Sequence, residues 1–158
     1  MISPMDSSSI AQIIAIVLLI AMSAYFSATE TAFSCLNKIR MKSRAESGDH
    51  RAALAMDLVE DYDRLISTIL IGNNIVNIAA ASIGTILFTR ALGAERGATM
   101  STIVLTIVVL IFGEVTPKSL AKEMPETVAT AVSPMLNLLM GPVSYTHLRA
   151  HETKATLV

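Results

Sequence analysis

The chain has 158 residues, of which 53% are hydrophobic and only 16% are charged, and its formal net charge at pH 7 is −1. This composition is typical of an integral membrane protein, and it lacks the basic surface that nucleic-acid binding requires. The single cysteine, Cys35, provides neither a disulfide framework nor a cysteine pair for a metal.

The first apolar segment runs from Ser7 to Thr29 and contains no charged residue. Its length is sufficient to cross the roughly 30 Å hydrocarbon core of a bilayer as a helix. A cleaved signal peptide is the competing interpretation, but no lysine or arginine precedes the segment and no small-residue cleavage site follows it. We therefore expect a retained transmembrane helix at about residues 8–33.

One face of this helix is polar in its second half. Ser23, Ser27 and Thr31 recur every four residues, which stacks three hydroxyl groups on one side, and Glu30 lies close to them. Packing of small residues against a neighbouring helix is an alternative explanation for these serines. The pattern leaves a binding role and a packing role both open.

Charged residues are concentrated between residues 35 and 64. Excess lysine and arginine in a short loop indicates the cytoplasmic side of the membrane. Gly48 is positioned to end one amphipathic helix and Asp49 to cap the next. We expect juxtamembrane helices over about residues 36–62, on the cytoplasmic surface. The basic residues are Lys38, Arg40, Lys42, Arg44, Arg51 and Arg64.

The second predicted span, about residues 65–89, contains three amide side chains, Asn73, Asn74 and Asn77. An unpaired amide in hydrocarbon costs roughly 2–7 kcal/mol, depending on the reference state. Spacings of three and four residues gather these amides on one side of a helix. We expect that side to face protein, water or a bound ion and not lipid.

The third predicted span, about residues 98–117, follows a turn predicted at residues 92–97. It ends with Gly113, Glu114 and Pro117. Pro117 has no N–H for the carbonyl of Gly113, four residues earlier, so this oxygen becomes available next to the Glu114 carboxylate. A carboxylate in a transmembrane helix suggests function, although an ion pair with Lys118 is the alternative.

The candidate ligands of the three spans all bind through oxygen, which favours a hard cation such as Mg²⁺, Ca²⁺ or Na⁺. An intramembrane enzyme with Glu30 and Glu114 as an acid and base pair is another class, but no nucleophile motif supports it, and we do not expect an enzyme. The candidate metal ligands are Ser23, Ser27, Asn73, Asn74, Asn77, Gly113 and Glu114.

Three segments in this order resemble the transmembrane domain of the CorC and cyclin M magnesium transporters. They are residues 26–32 (FSATETA), residues 72–77 (GNNIVN) and residues 113–118 (GEVTPK). The resemblance extends over about residues 10–140. It implies an all-α membrane domain of three transmembrane helices with juxtamembrane helices on the cytoplasmic side. It further implies an external N-terminus, a cytoplasmic C-terminus, and a homodimer in the cytoplasmic membrane.

The resemblance also implies a magnesium site between the three helices. It would draw on Ser23 and Ser27, one asparagine of the second span, the Gly113 carbonyl and Glu114. The implied function is secondary transport of Mg²⁺ by alternating access, in the direction of export, with Na⁺ as the candidate counter-ion. A membrane module that senses Mg²⁺ or regulates a partner without transport is the alternative. In the family, ATP binds to cytosolic CBS domains, which lie outside these 158 residues.

The last part of the chain divides at about residue 143. Residues 125–143 have an apolar face interrupted by Pro134, and we expect an interfacial helix there, with a fourth span as the alternative. Residues 1–143 then form the transmembrane domain. Residues 144–158, with His147 and His151 at a spacing that a metal could use in a helix, are predicted to be foreign to the family or disordered.

Overall fold

The structure is a computed structural model that describes the backbone of residues 7–155 and the side chains of residues 7–140. Its regular elements are helices, and no strand occurs among the residues that it describes. The helices are α1 (Ser7–Cys35), α2 (Lys38–Glu46), α3 (His50–Glu60), α4 (Tyr62–Leu92), α5 (Ala94–Val108), a π-helical segment (Val109–Val115), α6 (Thr116–Glu123) and α7 (Pro125–Ala155).

Three helical stretches in the described part of the chain are long and apolar enough to cross a membrane. They are Ser7–Cys35, Tyr62–Leu92 and Ala94–Glu123. The predicted fold class, an all-α membrane protein with three spanning helices, is confirmed. The third stretch is longer than the predicted residues 98–117, because the chain stays helical through the π-helical segment and past Pro117.

The connection between α4 and α5 is a single residue, Gly93. Its φ of 86° is a left-handed conformation that glycine adopts without steric cost, and its N–H donates to the Thr89 carbonyl at 2.9 Å. The turn predicted at residues 92–97 is therefore too long. Helix α5 begins at Ala94. Gly97, in its first turn, lies so close to α4 that a Cβ added to it would be 2.5 Å from the Phe88 oxygen.

One compact unit comprises residues 1–28 and 71–120. In it α1 runs antiparallel to α4, since Arg90 donates to Ser8 Oγ at 3.3 Å at one end and Gly72 lies under the Phe26 ring at the other. Many large apolar side chains point outward, among them Ile75 and Ile78, with exposed fractions of 62% and 67%. Such an apolar exterior is what a lipid-facing surface requires.

A second compact unit comprises residues 29–70 and 121–158. Its α2 and α3 pack together, and α3 also packs against α7. Arg64 Nη2 donates to the Met140 carbonyl at 2.6 Å, and Arg40 pairs with Glu126 at 3.6 Å. The apolar core includes Met41, Ala52, Ala55, Leu58, Ala129 and Leu136.

The junction between α2 and α3 is built as the sequence predicts. Gly48 N–H donates to Ala45 O at 3.0 Å and Asp49 N–H donates to Arg44 O at 3.1 Å, a bond pattern that ends α2. The Asp49 carboxylate caps α3 by accepting the N–H of Ala52 at 3.1 Å. This hydrogen bond, with a further one from the Arg44 side chain, lowers the pKa of Asp49 below its ordinary value.

Helix α7 begins at Pro125, as predicted for an interfacial helix over residues 125–143, and its backbone continues to Ala155. Ala129, Ser133 and Leu136 form its buried face. Pro134 does not interrupt the helix and lies on its exposed side. The predicted foreign tail, residues 144–158, has its side chains outside the described residues, so that assignment stays a prediction.

Candidate metal centre

Ser23 and Asn73 meet inside the first compact unit. Ser23 Oγ donates to Asn73 Oδ1 at 3.0 Å, and Ser23 is only 1% exposed. The third helix joins them at Gly113, where an added Cβ would lie 3.0 Å from Ser23 Oγ. We call Ser23, Asn73 and Gly113 the serine–asparagine cluster. Three separate stretches of sequence thus place oxygen-bearing groups at one point.

The backbone around Gly113 is wound more loosely than an α-helix. Within the π-helical segment Val109–Val115, the N–H of Thr116 donates to Ile111 O, five residues back. Pro117 has no N–H, so it can continue neither the π pattern, which would reach Phe112 O, nor the α pattern, which would reach Gly113 O. Pro117 therefore supplies a donor to neither the Gly113 carbonyl nor the adjacent Phe112 carbonyl.

The other predicted ligands divide between the cluster and its surroundings. Ser27 is 1% exposed, one turn after Ser23 on the same helix. Asn74 is exposed, because a one-residue step along α4 turns its side chain away from Ser23. Asn73 is therefore the amide that hydrogen-bonds to the polar face of α1.

Asn77 and Glu114 line a separate cavity of about 300 Å³ between α4 and the α5 region. Asn77 Oδ1 is buried and accepts no hydrogen bond from the residues that the structure describes. Glu114 is 48% exposed, and its Oε1 lies 3.3 Å from Lys118 Nζ, the ion pair that the sequence offered as the alternative role. We call this cavity the hydroxyl groove. It is lined by Asn77, Ala81, Thr85, Ser101, Thr102, Leu105, Thr106, Val109, Leu110 and Glu114.

The sequence analysis missed the hydroxyl side chains of this groove. Asn77, Ala81 and Thr85 repeat every four residues on α4, and Thr102 and Thr106 repeat in the same way on α5. That periodicity was available as a signal. It is weak, because threonine hydroxyls in transmembrane helices commonly bond to their own backbone, as Thr85 does to Ala81 O at 2.9 Å.

The polar groups of the serine–asparagine cluster and of the hydroxyl groove offer mainly oxygen atoms as ligands. No group of three or more His, Cys, Asp or Glu side chains that could hold a metal ion occurs among the described residues. A cation in this unit would therefore depend on neutral hydroxyl, amide and carbonyl oxygens together with the carboxylate of Glu114. Neutral oxygens with a single carboxylate suit a hard cation that must also be released.

Three apolar helices with oxygen-bearing side chains packed between them define a multi-pass α-helical membrane protein. Residues 13–145 match the family model described as the cyclin M transmembrane N-terminal domain. The chain belongs to this family, which confirms the resemblance found in its three sequence motifs.

Relatives in bacteria support the assignment. The chain is 45% identical over 125 residues to the UPF0053 inner membrane protein YfjD of Escherichia coli K12, a match that covers 77% of this chain and 29% of the relative. It is 39% identical over 137 residues to a UPF0053 protein of Haemophilus influenzae, covering 86% and 32%.

A third relative, the polyamine export protein of Haemophilus influenzae, is 29% identical over 140 residues, covering 81% of this chain and 32% of the relative. The chain thus spans about a third or less of the length of the relatives described here.

Proposed function

We propose that this chain is the ion-binding membrane domain of a magnesium transporter. It binds Mg²⁺ between its three spanning helices and moves it by alternating access, as a secondary transporter. The observation that carries the proposal is the serine–asparagine cluster, in which Ser23 Oγ lies 3.0 Å from Asn73 Oδ1 beside the Gly113 backbone. Membership of the cyclin M transmembrane family supports a role in membrane transport.

The distance between the two side-chain oxygens of the cluster suits Mg²⁺. Mg²⁺ binds six oxygens at about 2.0–2.1 Å in an octahedron, so two adjacent ligands lie about 2.9 Å apart. The distance between Ser23 Oγ and Asn73 Oδ1 is close to this value. Ser27 and the Gly113 carbonyl would add further oxygens, and Glu114 would supply the negative charge after leaving its ion pair with Lys118.

The proposal includes an orientation and an assembly. The basic residues before α4 support a cytoplasmic position for the α2 and α3 region, with an external N-terminus and a cytoplasmic C-terminus. The protein works as a homodimer in the cytoplasmic membrane and exports Mg²⁺ against an inward flow of Na⁺. ATP would act through cytosolic CBS domains of the kind found in the family.

The test uses the purified chain in liposomes, with Mg²⁺ flux followed by an indicator dye and Mg²⁺ affinity by calorimetry. Ser23→Ala and Asn73→Ala should each lower the affinity about tenfold, since each removes an oxygen ligand or its orienting partner. Ser82→Ala is the matched control, because Ser82 is exposed and donates to its own helix at Ile78 O.

Comparison of Asn73→Ala with Asn74→Ala identifies the amide ligand. The larger loss should come from Asn73, which contacts Ser23. Unchanged Mg²⁺ affinity in both Ser23→Ala and Asn73→Ala would contradict the proposed site. A chain that binds Mg²⁺ without any flux would support the alternative, a membrane module that senses Mg²⁺ or regulates a partner.

A second candidate function is export of polyamines. One relative carries that name, and the hydroxyl groove combines apolar walls with the Glu114 carboxylate, which suits a methylene chain that ends in an ammonium group. Spermidine efflux measured in the same liposomes separates the two substrates. Spermidine movement that survives Ser23→Ala, with no Mg²⁺ movement in the unsubstituted chain, would favour the polyamine.

A further inference from the structure

Helix α2 has a large apolar side chain on its outer surface. Ile39 has an exposed fraction of 85%, whereas Met41, two residues further on, is completely buried in the second compact unit. A two-residue step turns a helix by about 200°, so Ile39 lies on the side of α2 opposite its packed side. A single exposed apolar residue is not by itself a binding surface. The residues around Ile39 are therefore decisive.

Two lysines without an acidic partner lie beside Ile39. Lys38 precedes it in the sequence, and Lys42 follows one turn later, at a three-residue spacing that brings side chains together. Both lysine side chains are exposed, and neither forms an ion pair within the described residues. Glu46 is also exposed, but it is two turns from Ile39, at the other end of α2. The first turn of α2 thus combines an apolar side chain with two uncompensated positive charges.

The arginines of α2 have a different role, because they stabilise the fold. Arg40 pairs with Glu126 of α7 at 3.6 Å, and Arg44 pairs with Asp49, the cap of α3, at 2.7 Å. Their charges are compensated inside the second compact unit. The charges of the two lysines are not, so they are available to an anion outside the chain.

The position of α2 in the chain brings its first turn to a bilayer surface. Residues 7–29 of α1 contain no charge, and Glu30 is the first charged residue of this helix. From Glu30 to the end of α1 at Cys35 the helix advances about 7 Å, which is comparable with the thickness of one headgroup layer. Lys38 begins α2 three residues later, a connection that spans at most about 11 Å. The first turn of α2 therefore begins within or next to the headgroups.

The chemistry of this turn matches an anionic phospholipid. A lysine has a flexible apolar stem and an ammonium group that interacts with phosphate oxygens. Basic residues close to a membrane are attracted by lipids with a net negative charge. A bilayer of such lipids offers both features that the turn requires, since negative headgroups lie at its surface and acyl chains lie directly beneath them.

We propose that the first turn of α2 is a binding surface for anionic phospholipids. Lys38 and Lys42 contact the negatively charged headgroups, and Ile39 inserts among the acyl chains. The inference goes beyond Mg²⁺ transport, because it requires only a bilayer beside the end of α1. The lysines select the lipid by charge, and the isoleucine fixes the depth of the helix.

The experiment uses the full chain in liposomes that contain phosphatidylglycerol and phosphatidylcholine in equal amounts. The chain contains no tryptophan, so Ile39→Trp introduces a single fluorescent reporter at an exposed position. Lipids with bromine on their acyl chains quench a tryptophan that inserts among them, and acrylamide quenches one that stays in water. We expect strong quenching by brominated lipid and little by acrylamide. Asp57→Trp is the matched control, because Asp57 is exposed among acidic residues of α3, and acrylamide should quench it strongly.

The selection by charge is tested by placing the bromine on one lipid at a time. Brominated phosphatidylglycerol should quench the Ile39→Trp variant more strongly than brominated phosphatidylcholine. Lys38→Gln and Lys42→Gln, added to this variant, should each lower that preference about fivefold at low salt, and high ionic strength should remove it. Arg51→Gln is the control, since it removes the same charge from α3 and should change the preference less.

Three results would overturn this surface. Quenching by acrylamide and not by brominated lipid would place Ile39 in water. Quenching by neither would show that protein covers it, such as a second copy of this chain. Equal quenching by the two brominated lipids would exclude selection of anionic lipid. None of these measurements depends on Mg²⁺ movement, so failure of the proposed function would leave this test decisive.

Discussion

The serine–asparagine cluster and the hydroxyl groove differ although α4 and the helix that contains Gly113 contribute to both. In the cluster, the Ser23 hydroxyl is 1% exposed and hydrogen-bonds to Asn73 at 3.0 Å. In the groove, Asn77 Oδ1 has no partner among the described residues, Glu114 is 48% exposed, and about 300 Å³ of space lies beside them. The cluster is closed and its hydroxyl and amide oxygens pair with each other, whereas the groove is open and its carboxylate pairs with Lys118.

This difference determines what a cation would meet in each region. In the closed cluster, a cation would have to replace the hydrogen bond between Ser23 and Asn73. In the open groove, it would meet the ion pair between Lys118 and Glu114. The two regions adjoin at Gly113 and Glu114, so a one-residue step along the chain separates the two environments.

The largest expected effect distinguishes the two regions at Gly113. Gly113→Val places a Cβ 3.0 Å from Ser23 Oγ and 3.3 Å from Ser23 Cβ. The added side chain should push Ser23 Oγ out of its position, so Mg²⁺ affinity should fall by at least the roughly tenfold expected for the loss of that oxygen. The control is Phe112→Val, an exposed neighbour, and wild-type Mg²⁺ affinity in Gly113→Val would show that the cluster is not the binding site.

A smaller effect is expected from the ion pair at the mouth of the groove. Lys118→Met removes the cation 3.3 Å from Glu114, which leaves the groove more negative. Exposed ion pairs contribute about 0.2–1 kcal/mol, so Mg²⁺ should bind up to about fivefold more tightly at low salt. The increase should disappear at high ionic strength. Lys122→Met, one turn further, is the control, and equal Mg²⁺ affinity in both variants would contradict a role for Glu114 in Mg²⁺ binding.

The smallest effect on both regions is expected from Asp49, which caps α3 in the other compact unit. Asp49→Ala should lower the thermal unfolding temperature at pH 7 and leave the Mg²⁺ affinity unchanged, with Asp57→Ala as control. Because the folded chain lowers the pKa of Asp49 from 3.8, its carboxylate stabilises the fold above that pH. The difference from wild type should vanish as the pH falls below 3.8. A difference that persists in acid would contradict this assignment.

Much of the fold could be predicted because its signals are local. The uncharged stretches predict the spans, and Gly48 followed by Asp49 predicts the boundary between α2 and α3. The turn at Gly93 was predicted too long, since the close approach of Gly97 to the α4 backbone depends on tertiary packing. Local signals therefore fix the elements but not the details of their contacts.

The candidate site was only partly predictable for the same reason. The sequence grouped Asn73, Asn74 and Asn77, but each residue turns a helix by about 100°. The rotation of α4 therefore decides that Asn73 contacts Ser23, that Asn74 is exposed and that Asn77 lines the groove. The π-helical winding around Gly113 also depends on three-dimensional packing, since Pro117 alone is compatible with an ordinary kink. The Lys118 pairing, by contrast, follows directly from a four-residue spacing.

The π-helical segment Val109–Val115 has a geometric consequence for the whole third span. A π turn amounts to one residue more than an α-helix of the same length, and one residue corresponds to about 100° of rotation. The additional residue therefore sets how far α5 is rotated about the helix axis relative to α6. Deletion of one residue from this segment would leave both helices intact, yet it would turn the Thr102 and Thr106 face of α5 about a quarter turn away from Glu114.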